Sequence, residues 1–473
     1  MIVPLLLPLA ALLPGRKALS LCGLVLLASR LSVNAAEPAP RAPRAVLEIS
    51  TGSLPGRNIV FLMRPSTGRL RRPVSLGSVM ELAQKDNPEL KASRQAWLAA
   101  AQVPAQASAF DDPMINVSHM LVDLQTKAGP LQNQFSISQK IPFWGKRALR
   151  GQAASMAAEV ARQAFRAKSL EIMDETVRAY YGLYFLDRAV AILNDQQSVL
   201  NRFSRSAIKK YTVGAAPEAQ AFRAQVELAK LENDLVTAEE EQKSARARLN
   251  ALLNRPPLAP LGRPERPEDP AFRWDDAALE RQALARRPEI LALSALKNRS
   301  EAERRLAIRN YFPDLTLGYQ YSQIGGGTTN MPYDGQAAQA VTFGINLPIW
   351  LNKENAALRQ SRAALAASES SLDDMTNETR YQVVDLSVKA DTAARLFKLY
   401  QDTVLPQAQA ALDSAQSAYE GGKSGFLDLL DSERSLLSFE LDQERHRVDF
   451  EIAVADLERV AGGALSETQG GKE

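Results

Sequence analysis

The tetrapeptide Ile141-Pro142-Phe143-Trp144 returns 206 residues later as Leu347-Pro348-Ile349-Trp350, and this recurrence decides the architecture of the chain. Three further landmarks recur in the same order at offsets of 200 to 208 residues: Asn87-Pro88-Glu89-Leu90 as Arg287-Pro288-Glu289-Ile290, Asp112-Pro113 as Phe312-Pro313, and Tyr211-Thr212-Val213-Gly214 as Tyr419-Glu420-Gly421-Gly422. Self-similarity at a nearly fixed spacing is the signature of a duplicated structural unit. The sequence therefore predicts two copies of one unit.

Each unit is predicted to run helical stretch, two strands, very long helix, turn and returning helix. The helical segments are expected at about 75–110, 146–210 and 218–253 in the first unit, and at 275–310, 353–418 and 426–461 in the second. A helix of some 65 residues reaches roughly 100 Å at ~1.5 Å per residue. That length indicates a coiled coil or a tunnel wall rather than the core of a globule. Pro406 is expected to bend the second long helix.

Short segments between the helices alternate apolar and polar side chains, as strands with one apolar face do. Segments of about ten residues that are apolar outside and polar inside are typical of a transmembrane β-barrel. The alternative is a strand of a soluble sandwich, which fits less well because no other segments supply a second sheet. The residues predicted to face lipid are Phe135, Ile137, Leu315, Leu317, Tyr319, Phe343 and Ile345.

Four strands per chain cannot close a barrel by themselves. Open strand edges are not tolerated in lipid, because unpaired backbone groups cost several kcal/mol each there. The smallest membrane barrels use about eight strands, so the chain is expected to pool strands with copies of itself under cyclic symmetry. Two copies would give eight strands and three would give twelve, and the spacing of residues does not decide between them.

The first 36 residues are predicted to be a secretory signal peptide. Arg16 and Lys17 precede an apolar run, and small residues follow at 33–36. A retained membrane helix is the alternative, although the run is short for a span of ~20 residues. Cys22, the one cysteine, lies in this segment and is an alternative lipid-attachment site. The predicted order is signal peptide 1–36, Pro- and Arg-rich extension 37–73, first repeat 74–253, Pro-rich linker 254–274, second repeat 275–462 and disordered tail 463–473.

Composition argues against several classes of function. Lys and Arg number 57 and Asp and Glu number 54, and this balance gives no electrostatic case for binding nucleic acid. Only two histidines, His119 and His446, are present, which disfavours a catalytic triad or a histidine metal site. Gly422-Lys423-Ser424 lacks the earlier glycine and the preceding strand of a phosphate-binding loop. We therefore expect no enzyme, no cofactor and no bound metal.

With these residues in hand, the chain resembles the TolC-like outer-membrane efflux family across about 75–462. The resemblance rests on the junction 138–147 (SQKIPFWGKR), the two tip turns, 211–217 and 419–425, and the duplicated strand–strand–long-helix order. The second junction departs from the first, since Leu351-Asn352-Lys353 stands where the first has Gly145-Lys146-Arg147. The resemblance implies a mainly α fold in the outer membrane: a trimeric twelve-stranded β-barrel, four strands per chain, continued by a periplasmic α-helical tunnel.

The resemblance also implies partners and a gate. The partners are a periplasmic adaptor and an inner-membrane pump, expected to be of the RND type, and the tip turns would meet the adaptor through Tyr211, Gly214, Tyr419 and Gly422. The family pattern places two acidic residues after the second tip turn, where this chain has Asp428 and Asp431. Spacing i, i+3 puts both carboxylates on one helix face, so a trimer would stack two acidic rings that attract cations. An ordinary solvated helix face is the alternative.

Three functions remain open at this stage. The first is an exit duct for small molecules or metal ions, and the second is an exit duct of a type I protein secretion system. The third is a soluble periplasmic coiled-coil tether, against which the alternating strands argue. Within efflux, Gly145-Lys146-Arg147 at the junction looks closer to heavy-metal exporters than to drug exporters, although no Met or His cluster accompanies it.

Overall fold

A computed structural model describes residues 73–465, except 272–273, 328–329 and 331. The predicted signal peptide and nearly all of the N-terminal extension, and Cys22 with them, lie outside the described residues. The elements, in chain order, are α1 Leu76–Asp86, α2 Pro88–Ala100, α3 Val103–Ala107, β1 Met114–Thr126, β2 Gly129–Ile141, α4 Lys146–Thr212, α5 Glu218–Leu252, α6 Asp276–Arg286, α7 Pro288–Arg309, β3 Leu315–Ile324, β4 Ala338–Ile345, α8 Leu351–Leu399, a π-helix Tyr400–Val404, α9 Leu405–Glu420 and α10 Phe426–Val460.

The first helical stretch of each repeat is broken, where a single helix was predicted. The breaks fall at Asn87 and Arg287, directly before a proline, because the residue preceding proline is driven out of the helical region. Asn87 then caps the next helix, its Oδ1 accepting from the amides of Glu89 and Leu90 at 2.9 and 3.1 Å. Arg287 instead donates to Thr379 Oγ1 at 2.9 Å. The side chain at the break therefore caps the next helix in the first repeat and binds α8 in the second.

The long helices are the dominant elements of both repeats. α4 runs for 67 residues without interruption, which at ~1.5 Å per residue is about 100 Å. In the second repeat a five-residue π-helix separates α8 from α9, immediately before Pro406. Proline lacks an amide donor, so the helical hydrogen-bond pattern is disturbed there. A π-helix therefore lies next to the residue that was expected to bend the second long helix, and α4 of the first repeat has none.

The strands form one antiparallel sheet in the order β1-β2-β3-β4. Opposite residues in a sheet share a face, and the register aligns Ile137 with Tyr319 and then Val341, and Leu317 with Phe343. One face is therefore largely apolar. The opposite face carries mostly polar and small residues, such as Ser138, Gly318 and Thr342 in one row. These rows alternate with the apolar rows along β2, β3 and β4. No helix in the described part of the chain combines the length and apolarity needed to cross a bilayer.

Three clusters of buried side chains hold the helices together. The first joins α1, α4, α5 and α10 with linker residue Leu261 around the buried Tyr180 and Leu183. The second unites α4, α5, α9 and α10, and the third unites α6, α8 and α10. Leu465 belongs to the third cluster and is 7 % exposed, so the segment predicted as a disordered tail begins inside the packed structure. The remainder of that tail, 466–473, lies outside the described residues.

The Pro-rich linker packs on the middle of the helices. Val74 forms a parallel bridge with Pro264, and its carbonyl accepts from the buried Tyr180 hydroxyl at 2.7 Å. Asp269 of the linker accepts from Arg447 at 3.0 Å. Arg447 is 1 % exposed and also donates to Glu444 and the Tyr184 hydroxyl, each at 3.3 Å. The linker is therefore tied to both repeats through buried polar groups.

Candidate gate at the hairpin tips

The two tip turns have nearly identical backbone geometry. Gly214 has φ +71° and Gly422 has φ +70°, a left-handed conformation that glycine adopts at low cost. In each turn the amide after the glycine reaches back to a helix carbonyl: Ala215 to Lys210 and Lys423 to Ala418, both at 2.8 Å. The glycines are required by conformation rather than by space, because no atom lies within 4 Å of where either Cβ would stand.

The tyrosines of the two turns differ, although the sequence repeat aligns them. Tyr211 is 43 % exposed, whereas Tyr419 is 3 % exposed. The Tyr419 ring packs against Phe426 at 5.3 Å, and its hydroxyl donates to Gln220 at 3.3 Å. Burial raises the pKa of the Tyr419 phenol. Tyr419 therefore supports its turn from inside, and Tyr211 offers its ring to the surface.

Lys210 joins the two tips. Its ammonium lies 4.0 Å from the centre of the Tyr419 ring and donates to the Tyr419 carbonyl. The donor comes from α4 of the first repeat, and the acceptor is one of the last carbonyls of α9 in the second. A cation is favourable there, because the end of a helix carries unsatisfied carbonyls and partial negative charge.

Asp428 and Asp431 are both exposed on one side of α10, opposite the buried Leu429 and Leu430. Asp428 Oδ2 accepts from the amide of Gly425 at 3.2 Å and so caps the start of the helix. The Asp431 side chain is 70 % exposed, and Arg434 lies 3.4 Å from it, one turn further along. The two carboxylates therefore share an exposed face, as their spacing predicts, and each has a local partner.

Arg434 makes a second connection between the repeats. It forms a two-point ion pair with Glu227 of α5, with Nε donating to Oε2 at 3.1 Å. Partial burial by itself would raise the pKa of Glu227, but hydrogen bonds from Arg434 and Lys230 lower it overall. Together with Lys210 and Tyr419, this pair fastens the second hairpin to the first near the tips.

Glu433 lies beside this pair but points into the helix packing and is 3 % exposed. Burial raises the pKa of its carboxyl to about 7; Arg434 opposes the rise, and the nearby Glu227 and Glu440 add to it. Lys210, Glu227, Arg434 and Glu433 were not predicted as site residues. The i, i+3 spacing of Asp431 and Arg434 was a local signal for their contact. The Lys210–Tyr419 and Arg434–Glu227 contacts join segments about 200 residues apart, and one sequence does not reveal such contacts.

The described residues contain no group of three or more His, Cys, Asp or Glu arranged to hold a metal ion. The tip groups described above are carboxylates, an ammonium and a guanidinium group, and a buried phenol. What this arrangement can do is hold two helical hairpins together reversibly and present negative charge to ions.

The chain belongs to the outer membrane efflux protein family, whose pattern it matches over residues 79–255 and 279–463. Members of this family are channels that form trimers and act with an adaptor and an inner-membrane pump. The protein is thus an outer-membrane exit duct of an export system. The prediction of family, membrane and duct function is confirmed, and the alternative of a soluble tether is wrong.

Two curated relatives illustrate the range of the family. Cobalt-zinc-cadmium resistance protein CzcC of Cupriavidus metallidurans is 24 % identical over 77 % of this chain and 84 % of its own length. Alkaline protease secretion protein AprF of Pseudomonas aeruginosa is 25 % identical over 63 % of each chain.

Solved structures share the fold. The outer membrane protein VceC of Vibrio cholerae superposes with a TM-score of 0.70 at 21 % identity, covering 82 % of this chain and 96 % of that one. CusC superposes with a TM-score of 0.72 at 16 % identity, covering 82 % and 92 %. The predicted fold class is confirmed by this likeness together with the four-stranded sheet and the long helices of the chain.

Proposed function

We propose that this protein is the homotrimeric exit duct of a tripartite pump that expels metal cations or other small molecules, with a periplasmic adaptor and an inner-membrane pump of the RND type. The observation that carries the proposal is the exposed acidic pair Asp428 and Asp431 at the hairpin tips. In a three-fold assembly the pair would form two stacked rings of three carboxylates. Rings of this kind concentrate cations at a channel entrance.

The sheet would supply the membrane part of the duct. Its apolar face would meet lipid through Phe135, Ile137, Leu315, Leu317, Tyr319, Phe343 and Ile345, several of which are 37 to 84 % exposed in the single chain. Twelve strands from three chains would close the barrel and remove every open edge. The polar face would line the lumen mainly with serine, threonine and glutamine side chains and with glycines, and with Lys140 near its periplasmic end.

Gating would depend on the contacts that fasten the two repeats. The Arg434–Glu227 pair and the Lys210–Tyr419 contact connect the second hairpin to the first, and both lie at the surface of the tip or near it. The Arg434–Glu227 pair is partly exposed, and the Lys210 contact is a hydrogen bond with a cation–π interaction, so each is worth on the order of 1 kcal/mol. A docking partner could therefore break them, which would let the second hairpin move and widen the acidic entrance.

The tip turns would be where the adaptor docks. Tyr211 and Gly214 form one surface, and Val213 between them is 70 % exposed. In the second turn Gly422 is exposed, whereas Tyr419 holds the turn in shape from within. The two turns would thus engage a partner unequally, the first through side chains and the second mainly through backbone.

A metal substrate is favoured by the similarity to a cobalt-zinc-cadmium resistance protein over most of both chains. The direct experiment deletes the gene in its own host and restores it with the unaltered chain or with the Asp428→Asn, Asp431→Asn variant. If metal cations are the substrate, deletion should reduce tolerance to cobalt, zinc or cadmium, and the unaltered chain should restore it. Unchanged tolerance to all three metals would rule out these cations as the substrate.

A second candidate is the exit duct of a protein secretion system, because AprF is similar to this chain at the same level of identity. The same deletion strain distinguishes the two. Secretion predicts that a specific protein disappears from the culture medium on deletion while metal tolerance is retained. Identifying the pump that co-purifies with the duct is a second test, since the pump of a secretion system would hydrolyse a nucleotide.

A further inference from the structure

A row of polar residues crosses the outward face of the sheet on β1, β2 and β3. On β3 the residues of that face are Leu315, Leu317, Tyr319 and Tyr321, and the next one is Gln323. Gln323 pairs with Asn133 of β2, which in turn pairs with His119 of β1. On β2 and β3 the apolar rows thus give way to polar residues at one level, and on β1 His119 stands at that level, before the exposed Leu121 and Val122 of the β1–β2 hairpin.

These three side chains are joined by hydrogen bonds across the strands, and we name them the His119–Asn133–Gln323 ladder. His119 Nδ1 lies 2.8 Å from Asn133 Oδ1, and Asn133 Nδ2 donates to Gln323 Oε1 at 2.9 Å. An amide oxygen only accepts, so the ring nitrogen of His119 must be the donor in the first bond. Both heteroatoms of the central Asn133 side chain are thereby used.

The two end residues of the ladder, His119 and Gln323, can each form a further hydrogen bond. Neither the His119 Nε2 nor the Gln323 Nε2 makes a hydrogen bond to the described residues beyond those of the ladder. Placing such a group in hydrocarbon without a partner costs several kcal/mol. Lipid headgroups and their water supply both donors and acceptors, so the ladder is chemically suited to the headgroup layer and unsuited to the acyl chains.

The distance of the ladder from the other end of the apolar face agrees with a position in the headgroup layer. Leu315 and Gln323 are eight residues apart on β3, about 26 Å at ~3.3 Å per residue. A strand tilt of about 35–45° reduces this to roughly 19–22 Å, close to the ~25 Å apolar band of an outer-membrane barrel. At the other edge, beyond Ile141 and Ile345, Trp144 and Trp350 are 78 % and 74 % exposed. Exposed tryptophans are typical of a membrane interface.

We propose that the His119–Asn133–Gln323 ladder is the contact of the barrel with the headgroups of the outer leaflet and, opposite Trp144 and Trp350, fixes the depth of the barrel in the membrane. The proposal rests on the lipid-facing assignment made under Proposed function. The periplasmic side is the one where the strands run into α4 and α8, which places the ladder at the outer edge.

The test measures depth with a nitroxide attached at Tyr321→Cys, one row below the ladder, in a Cys22→Ser background. The full-length protein is reconstituted in vesicles of phosphatidylcholine and phosphatidylglycerol, and collisions with oxygen and with a water-soluble nickel complex are compared. Replacing the ends of the ladder by His119→Leu and Gln323→Leu adds one apolar row. The label should then move toward the bilayer centre by about 5 Å, the height of two residues of a tilted strand.

The matched control is Ser118→Leu with Gln320→Leu, two polar-to-leucine changes on the opposite face. It should leave the depth of the label unchanged. An unmoved label in the His119→Leu, Gln323→Leu variant would overturn the ladder proposal. Labels at Tyr319→Cys and Thr316→Cys check the underlying assignment: equal exposure of both to the nickel complex would refute the lipid-facing face itself, and the ladder proposal with it.

Discussion

Lys146 Nζ lies 2.7 Å from Asp314 Oδ1, and both side chains are at most 8 % exposed. Lys146 begins the long helix of the first repeat, and Asp314 directly precedes the third strand, in the second repeat. Asp314 also accepts from the amide of Phe143 at 3.0 Å, and Lys146 also donates to the Phe312 carbonyl at 2.8 Å. This pair joins the sheet of one repeat to the tunnel helix of the other. The repeat aligns Lys146 with Asn352, so the second junction has no lysine at this position.

Removing one partner of this pair should weaken the assembled protein strongly. Lys146→Met leaves the buried Asp314 carboxylate with the Phe143 amide and, as its charged partner, the half-exposed Lys140 at 3.4 Å. Losing one partner of a buried pair costs about 3–5 kcal/mol. The temperature at which the detergent-extracted protein unfolds should fall clearly. Lys353→Met is the matched control, because that lysine of the second junction is 79 % exposed. Equal unfolding temperatures for the two variants would contradict the role of the pair.

The acidic rings should control cation passage. Asp428→Asn with Asp431→Asn removes six carboxylates from a trimer, so divalent cations should block the channel less and its conductance should rise. Single-channel recordings in planar bilayers, with and without added magnesium, measure both effects. Glu240→Gln, an exposed charge on α5, should change neither. If the double variant kept the conductance and block of the unaltered protein, these aspartates would not line the entrance.

The Arg434–Glu227 pair should favour the closed channel. Arg434→Gln removes a partly exposed ion pair worth about 1 kcal/mol, which corresponds to roughly a fivefold rise in the open-to-closed ratio. The charge-reversed combination Glu227→Arg with Arg434→Glu should restore closure. Open probability in bilayer recordings is the measurement. A restoring effect of the reversed pair separates this contact from a general loss of stability, and its failure would show that Arg434 acts through Asp431 instead.

The two faces of the sheet should tolerate charge differently. Leu317→Arg places a cation on the apolar face, where a midplane position costs about 2–4 kcal/mol, so less protein should reach the outer membrane as assembled trimer. Thr316→Arg, one residue away on the polar face, should assemble normally. Quantifying trimer in outer-membrane fractions compares them directly. Similar losses for both variants would contradict the assignment of the faces.

Glu433 should make the stability of the tip depend on pH. Its pKa in the folded protein is raised to about 7 from an ordinary 4.5, so the folded chain holds a proton that the unfolded chain releases. The contribution of Glu433 to stability is then fully present below pH 4.5 and is lost as pH rises to 7, by on the order of 3 kcal/mol per chain. Glu433→Gln should flatten the unfolding temperature between pH 5 and 7.5. A profile unchanged by that substitution would assign the dependence to another group.

The sequence by itself determined the parts of the fold that depend on local pattern. Repeated prolines and glycines mark the ends of elements, period-two alternation identified the second pair of strands, and the length without proline identified the long helices. The i, i+3 spacing of Asp428 and Asp431 was enough to place them on one helix face. The breaks at Asn87 and Arg287 were missed, although the prolines after them were visible.

Only the tertiary structure decided which residues of the two repeats meet. Lys146 with Asp314, Arg434 with Glu227, and Lys210 with Tyr419 each join segments 168 to 209 residues apart. No spacing rule connects such residues, because their meeting depends on how four helices and a sheet pack together. The same packing buries Tyr419 and exposes Tyr211, so two positions that the repeat makes equivalent in sequence are not equivalent in the folded protein.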